Sequence, residues 1–270
     1  MRMNDTPQFP FGPTVGYTVK ANVAWVTLNR PEVFNSFNRE MALATQAALD
    51  AADQDESVRA IVLTGNGKAF CAGQDLKEVT TPELHPGFKN IIDEHYNPII
   101  HRIRHIEKPI IAAVNGVAAG AGANIALACD FVVSSEHGSF IQAFSKIGLV
   151  PDSGGTFFLP RHIGLHRATA LMFLGDKLTA EDACKMGMVY KLFPSAFFLE
   201  EVQTLAETLA QMPTLALGLT KRLLNQSMEN NLEQQLALES AIQIQASASH
   251  DYHEGVTAFI EKRKPQFRGN

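Results

Sequence analysis

The sequence predicts an α/β protein, a mixed sheet with helices on its outside, built from β-β-α units. Three observations predict it. Short apolar runs suited to buried strands recur at residues 23–28, 59–64 and 109–114. Segments with apolar residues at helical pitch stand between them, the clearest at 41–52 and 91–106. Two of the runs, 59–64 and 109–114, lead into turns rich in glycine and alanine.

The 270 residues suffice for one large domain, or one domain with a helical appendage. A net charge of −5 leaves no basic face for nucleic acid, and no apolar run reaches membrane-spanning length. Three widely spaced cysteines, Cys71, Cys129 and Cys184, suit neither a disulfide framework nor a zinc cluster. They point to a reducing compartment, with the cytoplasm as the default. The first residues, MRMNDTPQFPFGPT, are polar and proline-rich, which suggests a loose start and not a signal sequence.

Along the chain, residues 17–20 and 23–28 read as strands joined by a hairpin turn at Ala21-Asn22, and Asn29-Arg30-Pro31 ends the second. Asn38 is placed to cap an amphipathic helix over 41–52, and 59–64 is the next buried strand. Residues 74–90, which hold Pro82 and Pro86, read as loop. Residues 91–106 read as a helix, with Pro98 demanding a kink or a later start. The run 109–114 then feeds a helix start made of very small side chains, Gly116 to Ala123. Strands follow at 131–134 and 139–142, and 145–156 is an irregular turn around Pro151, Gly154 and Gly155. Helices are expected at 164–174 and 179–186, the latter capped by Thr179, with a last short strand near 189–192. From Ala196 the pattern is Leu-rich and helical with a break at Pro213, the natural candidate for an oligomer interface.

Two strand-turn-helix junctions carry the first chemical signal, at Ala72-Gly73-Gln74 and at Gly120 to Gly122. A helix start leaves N–H groups unpaired at the positive end of its dipole, and with no bulk beside them a substrate oxygen can approach. Each stretch alone reads equally well as close packing of a helix on a sheet. Together, if they converge, they form an oxyanion hole. Asp152 sits in a Pro/Gly/Ser turn after the apolar run 147–150. A carboxylate there commonly caps a turn; facing an apolar pocket it would be desolvated, its pKa raised, and it could shuttle a proton. His101 and His105, like His162 and His166, stand four apart, but neither pair has an acidic or cysteine partner to complete a metal site. Cys71 has no histidine near it in sequence to activate it. Neither GxGxxG nor GxxxxGK occurs, which removes the usual nucleotide readings.

LNRPEVFNSFN, AFCAGQDL and NGVAAGAGANIALACD together resemble the enoyl-CoA hydratase/isomerase (crotonase) superfamily, and the likeness runs to the closing FIEKRKPQF. That resemblance implies a crotonase-like spiral of ββα units over residues 1–195 and a C-terminal helical oligomerisation region over 196–270, in a homotrimer or dimer of trimers. It implies an acyl-CoA substrate whose thioester oxygen lies between the amides of Gln74 and Ala121. Ala72, Gly73, Gln74, Asp75 and Leu76 would run along the coenzyme A moiety. Arg30 and, contributed by the neighbouring subunit, Phe259 and Lys262 would meet its nucleotide end. Coenzyme A arrives with the substrate, so no cofactor, metal, nucleic acid or membrane is expected.

Where the family's hydratases carry two glutamates that activate water, this sequence has Asn124 and Phe144, neither of which is a general base. Asp152 falls near the working carboxylate of the family's isomerases. GAGANIALACD, AFSKIGLVPDSGGTFFLPR and DYHEGVTAFIEKRKPQF are most similar to the ring-epoxide isomerases of phenylacetate catabolism. The resemblance thus implies an acyl-CoA isomerase working through a thioester enolate. Its substrate would be a ring epoxide (1,2-epoxyphenylacetyl-CoA to oxepin-CoA), an enoyl double bond, or both. An enoyl-CoA hydratase and a non-catalytic CoA-ester binding protein are the alternatives. Phe144, with Phe34, Phe37 and Tyr96, would supply an apolar wall.

Overall fold

A computed structural model of the chain describes residues 8–270; the loose start expected at the terminus falls, up to residue 7, outside the described residues. β1 (Val15–Lys20) and β2 (Val23–Leu28) form an antiparallel hairpin. Its turn residues Ala21 and Asn22 both have left-handed φ, 48° and 62°, the combination whose twist matches that of the flanking strands. α1 (Arg39–Gln54) follows, with the Asn38 side chain accepting from the Met41 amide at 3.0 Å as its cap.

Each later round of the chain lays one strand in a large sheet, the next in a small sheet, and then a helix. The first round is β3 (Ala60–Gly65), β4 (Ala69–Cys71) and α2 (Leu76–Thr80). α3 (Phe88–Asn90), a π-helical turn (Ile91–Tyr96) and α4 (Asn97–His105) lead to the second round, β5 (Ile110–Val114), β6 (Val117–Ala119) and α5 (Ala121–Ala128). The third is β7 (Phe131–Ser135), β8 (Ser139–Ile141) and, past a 3-10 turn (Ala143–Ile147), α6 (Gly155–Ile163) and α7 (Leu165–Leu174). β9 (Lys177–Thr179), α8 (Ala180–Lys185) and β10 (Lys191–Phe193) complete the sheets. The large sheet runs β1-β2-β3-β5-β7-β10 and the small one β4-β6-β8-β9, with every pair parallel except β1-β2 and β8-β9.

Every residue of β3 is buried because both faces of the large sheet are covered. Ile61 and Leu63 join the main core with residues of α1, α4 and α5. Ala60 and Val62 pack with Trp25, Ile111 and the inner face of α9 (Phe198–Ala210). The first helix beyond residue 196 therefore closes the sheet, while α10 (Thr214–Ser227), α11 (Leu232–Ser247) and α12 (His250–Glu261) extend past it. α10 is tied back by Lys221, whose Nζ lies 2.8 Å from Asp130 Oδ2; Asp130 also receives Arg104 and the Ile110 amide.

Several elements differ from the sequence expectation. Residues 74–90, read as loop, contain α2 and α3, because the Asp75 side chain accepts from the Lys77 amide and caps a helix there. The run 109–114 does not feed α5 directly: Asn115-Gly116 turns it into β6, and the helix starts after that strand. β4, β6 and β9 are three-residue strands, too short to show a period. Helix structure passes through Pro98, which stands in the first turn of α4 after the π-helical turn, where a missing N–H is least disruptive. α6 was hidden by Pro160 inside it.

Candidate active site

β4 and β6 are neighbours in the small sheet, so the junctions that follow them lie side by side. A Cβ on Gly122 would stand 2.5 Å from the Cys71 oxygen and 2.6 Å from its sulfur, so only glycine lets α5 press against the end of β4. Gly73 has φ of 92°, and a Cβ there would meet Ala119 O at 3.0 Å and Ala121 N at 3.6 Å. The second half of the first junction therefore touches the first residue of α5.

The loop before α1 braces this arrangement. Phe37 donates its amide to Gly73 O at 2.7 Å and accepts from the Asp75 amide at 2.8 Å. Alternate amides of an extended segment face opposite sides, so the Gln74 N–H points away from that loop. Among the described residues it has no hydrogen-bond acceptor, and neither does the Ala121 N–H at the start of α5.

The side chain of Gln74 is held at both ends. Tyr96 Oη donates to Gln74 Oε1 at 2.7 Å, and Gln74 Nε2 donates to Glu78 Oε2 at 2.7 Å. Glu78 in turn accepts from the Arg39 amide at 2.8 Å. The π-helical turn explains how Tyr96 reaches Gln74: it turns two successive residues, His95 and Tyr96, inward, each 1% exposed. Burial, with Cys71, Asp152, Glu78 and Asp75 nearby, pushes the Tyr96 phenol well above its ordinary value, so it is a neutral donor. It stacks edge-on against Phe37 at 5.8 Å.

Asp152 lies within electrostatic reach of Tyr96, in the turn before α6. Desolvation raises its pKa to about 6, against a smaller opposing effect from the Ser153 hydroxyl, which donates to Asp152 Oδ1 at 2.9 Å. Ser153 and Gly154 both have left-handed φ, 50° and 72°. Asn124, fully buried on α5, donates from Nδ2 to the main-chain oxygen of Asp152 at 2.9 Å. Phe144 is 6% exposed, and its ring stands 3.8 Å from where a Gly120 Cβ would be, beside the Ala121 amide. The site thus sets two free amides and one desolvated carboxyl among apolar groups, the equipment for stabilising an oxyanion and moving a proton.

The remaining expected site residues lie around and beyond the two junctions. Arg30 is ion-paired with Asp75 at 2.8 Å and donates to Ser36 O, and Asp75 also caps α2. Leu76 is 62% exposed, and Ala72 is exposed with its amide on Phe34 O. Phe34 is itself half exposed, so of the aromatic wall the structure gathers Phe37, Tyr96 and Phe144 inward and leaves Phe34 out. Phe259 and Lys262 are exposed at the end of α12, and among the described residues they make no hydrogen bond to either junction. Burial pushes the Cys71 thiol up to about 12, so it is neutral packing. Sequence reasoning missed Glu78 and Gln142, and it gave Tyr96 only a packing role. The four-residue spacing from Gln74 to Glu78 was a usable signal for the first; Gln142 had none.

Residues 18–270 match the family described as enoyl-CoA hydratase/isomerase. A 1,2-epoxyphenylacetyl-CoA isomerase of Escherichia coli K12 is 45% identical over 93% of this chain and 97% of its own length. A Rhodobacter capsulatus protein named probable enoyl-CoA hydratase is 42% identical over 95% and 98%. The crystal structure of an enoyl-CoA hydratase from Bacillus anthracis superposes with a TM-score of 0.88 at 30% identity, covering 95% of this chain and all of that one. Fold, paired junctions and sequence agree, and the chain belongs to the enoyl-CoA hydratase/isomerase family.

Proposed function

We propose that this protein is an acyl-CoA isomerase that works through a thioester enolate. The thioester oxygen accepts hydrogen bonds from the amides of Gln74 and Ala121, which acidifies the proton on the carbon alpha to the carbonyl. Asp152, as carboxylate, takes that proton and returns it two carbons further along an enoyl chain, moving the double bond; on a ring epoxide it assists opening to the oxepin. Coenzyme A arrives with the substrate, so the reaction needs no further cofactor. The observation that carries this reading is the desolvated Asp152 carboxyl, held by Asn124 to the helix whose first residue is Ala121. Asn124 is occupied in holding the Asp152 main chain, and Phe144 fills the space beside Ala121. Neither of these two side chains is an acid that could hold a water for addition.

The ring epoxide of phenylacetate catabolism is the substrate we favour, supported by the similarity to the epoxyphenylacetyl-CoA isomerase. Enoyl-CoA hydration is the second reading, supported by the similarity to a protein of that name. Parallel assays on 1,2-epoxyphenylacetyl-CoA, a linear 3-enoyl-CoA and crotonyl-CoA decide among them. We expect turnover of the first or second and none of the third; hydration of crotonyl-CoA at an enzymatic rate contradicts the proposal, and no turnover of any leaves CoA-ester binding alone.

We propose a homotrimer or dimer of trimers formed by the C-terminal helices. Leu232, Ile244, Phe259 and Ile260 there are each between 69% and 84% exposed, apolar groups that such an interface would cover. Acyl-CoA ligands would then reach Phe259 and Lys262 of a neighbouring copy. The three free cysteines are consistent with a cytoplasmic location. No helix of the described residues is long and apolar enough to cross a membrane.

A further inference from the structure

Asn124 is held between two partners. Its Nδ2 donates to the Asp152 main-chain oxygen at 2.9 Å, and its Oδ1 accepts from Gln142 Nε2 at 2.8 Å. A main-chain carbonyl only accepts, so the Asn124 group facing Asp152 must be the NH2. Its oxygen therefore faces Gln142, which must answer with its own NH2. The direction of the whole chain follows from one carbonyl.

That direction has a consequence at the far end. Gln142 Oε1 is buried with no hydrogen-bond partner among the described residues. A buried acceptor without a donor is destabilising and offsets what the Gln142 Nε2 bond to Asn124 contributes, so stability alone is a weak reason for a glutamine here. The turn that the chain holds is also strained: Ser153 is a non-glycine residue with φ of 50°, next to Gly154 at 72°. Asn124 approaches this turn as closely as the backbone allows. A Cβ on Gly155 would fall 2.3 Å from Asn124 Nδ2.

Resting on the reading of Asp152 as the proton shuttle, we infer that Gln142 and Asn124 are positioning residues, a one-way amide relay that fixes the Asp152 main chain and so aims its carboxyl at the substrate. The relay anchors the carboxylate side to α5, the same helix that supplies the Ala121 amide. A shift of α5 then moves donor and carboxyl together.

The test is Gln142→Met, which keeps the side-chain length and removes both polar ends. The relay account expects a melting temperature close to that of the unaltered protein, because the Gln142 orphan oxygen is gone while the buried Asn124 Oδ1 loses its donor. It expects kcat on the preferred CoA ester to fall by about tenfold or more with KM changed by less than about twofold. It also expects the acid limb of the kcat profile to move down from near pH 6 by roughly half a unit, as the released carboxyl regains water. No charged neighbour contributes to the Asp152 titration, and the facing Tyr96 phenol stays neutral, so that limb reports Asp152. Gln142→Glu, whose carboxylate can only accept, should turn the Asn124 amide over and lower kcat further.

Unaltered kcat and acid limb in folded Gln142→Met overturn the relay, as does a lower melting temperature with kcat unaffected. If that variant fails to fold, Asn124→Ser carries the same expectations for kcat, KM and the acid limb, and an unaltered kcat and acid limb there contradict the relay equally; its melting temperature should fall, since Gln142 then loses its partner. An active Asp152→Asn would instead remove the proton-shuttle reading itself, so the two failures are distinguishable.

Discussion

On the amide side of the site, β4 and α5 lie so close that Gly122 has no room for one methyl group; on the carboxylate side, a buried left-handed turn is kept in shape by a side chain reaching across from α5. The first side is made of main chain and works by leaving things out. The second is made of side chains and works by supplying them. The amide side should therefore fail when an atom is added, and the carboxylate side when one is removed.

The largest effect is expected at the carboxylate. Asp152→Asn should lower kcat by roughly 10²–10⁴-fold, the usual contribution of a positioned acid-base group, with CoA-ester binding nearly intact. The same change should stabilise the fold. The folded pKa of Asp152, about 6, lies above the ordinary 3.8, so burial favours the protonated form. Its stability contribution is present in full below pH 3.8 and is lost as the pH rises through about 6. At pH 8 the asparagine variant should be more stable by on the order of 2 kcal/mol, read by denaturant unfolding. The kcat of the unaltered protein should run the other way, falling as the pH drops below about 6, because catalysis needs the carboxylate.

Next comes the addition of bulk at the amides. Gly73→Val places a branched side chain at φ of 92° and against Ala119 O, and should lower kcat by about 10²–10³-fold, the loss typical of one oxyanion donor. A smaller effect is expected where a side chain supports the amide side. Tyr96→Phe leaves Gln74 Oε1 without its donor and should lower stability by about 1–3 kcal/mol. The accompanying loss in kcat should be smaller than for Gly73→Val; a larger one would mean that the amide side also depends on side chains. The smallest catalytic effect belongs to Lys221→Met. It takes one of two cationic partners from Asp130, which keeps Arg104, and should lower stability by about 1–3 kcal/mol, yet leave the acid limb of kcat in place.

The same contrast explains what was legible in the sequence. Small residues after a buried strand are a local composition, so both junctions could be read, and Asp152 stood out in its Pro/Gly/Ser turn. Long strands and capped helices such as β2 and α1 also carried their own signals in hydrophobic period and in Asn38. β4 and β6, which bring the junctions together, are three residues each and gain their identity only from pairing with each other. Gln74 is held by Glu78, four residues on, and by Tyr96, 22 residues on, and Asp152 by Asn124, 28 residues back with Gln142 behind it; apart from the helical spacing of Gln74 and Glu78, no local pattern announces such contacts. The π-helical turn that delivers Tyr96 has no sequence period of its own.

The central claim is that an enolate forms between two amides and one carboxylate. Uptake of deuterium from heavy water into the alpha carbon of phenylacetyl-CoA, which has no double bond or epoxide to rearrange, tests it most directly. Exchange should be catalysed by the unaltered protein with an apparent pKa near 6 and be absent in Asp152→Asn. Exchange at the same rate in that variant, or none in either protein, would contradict it.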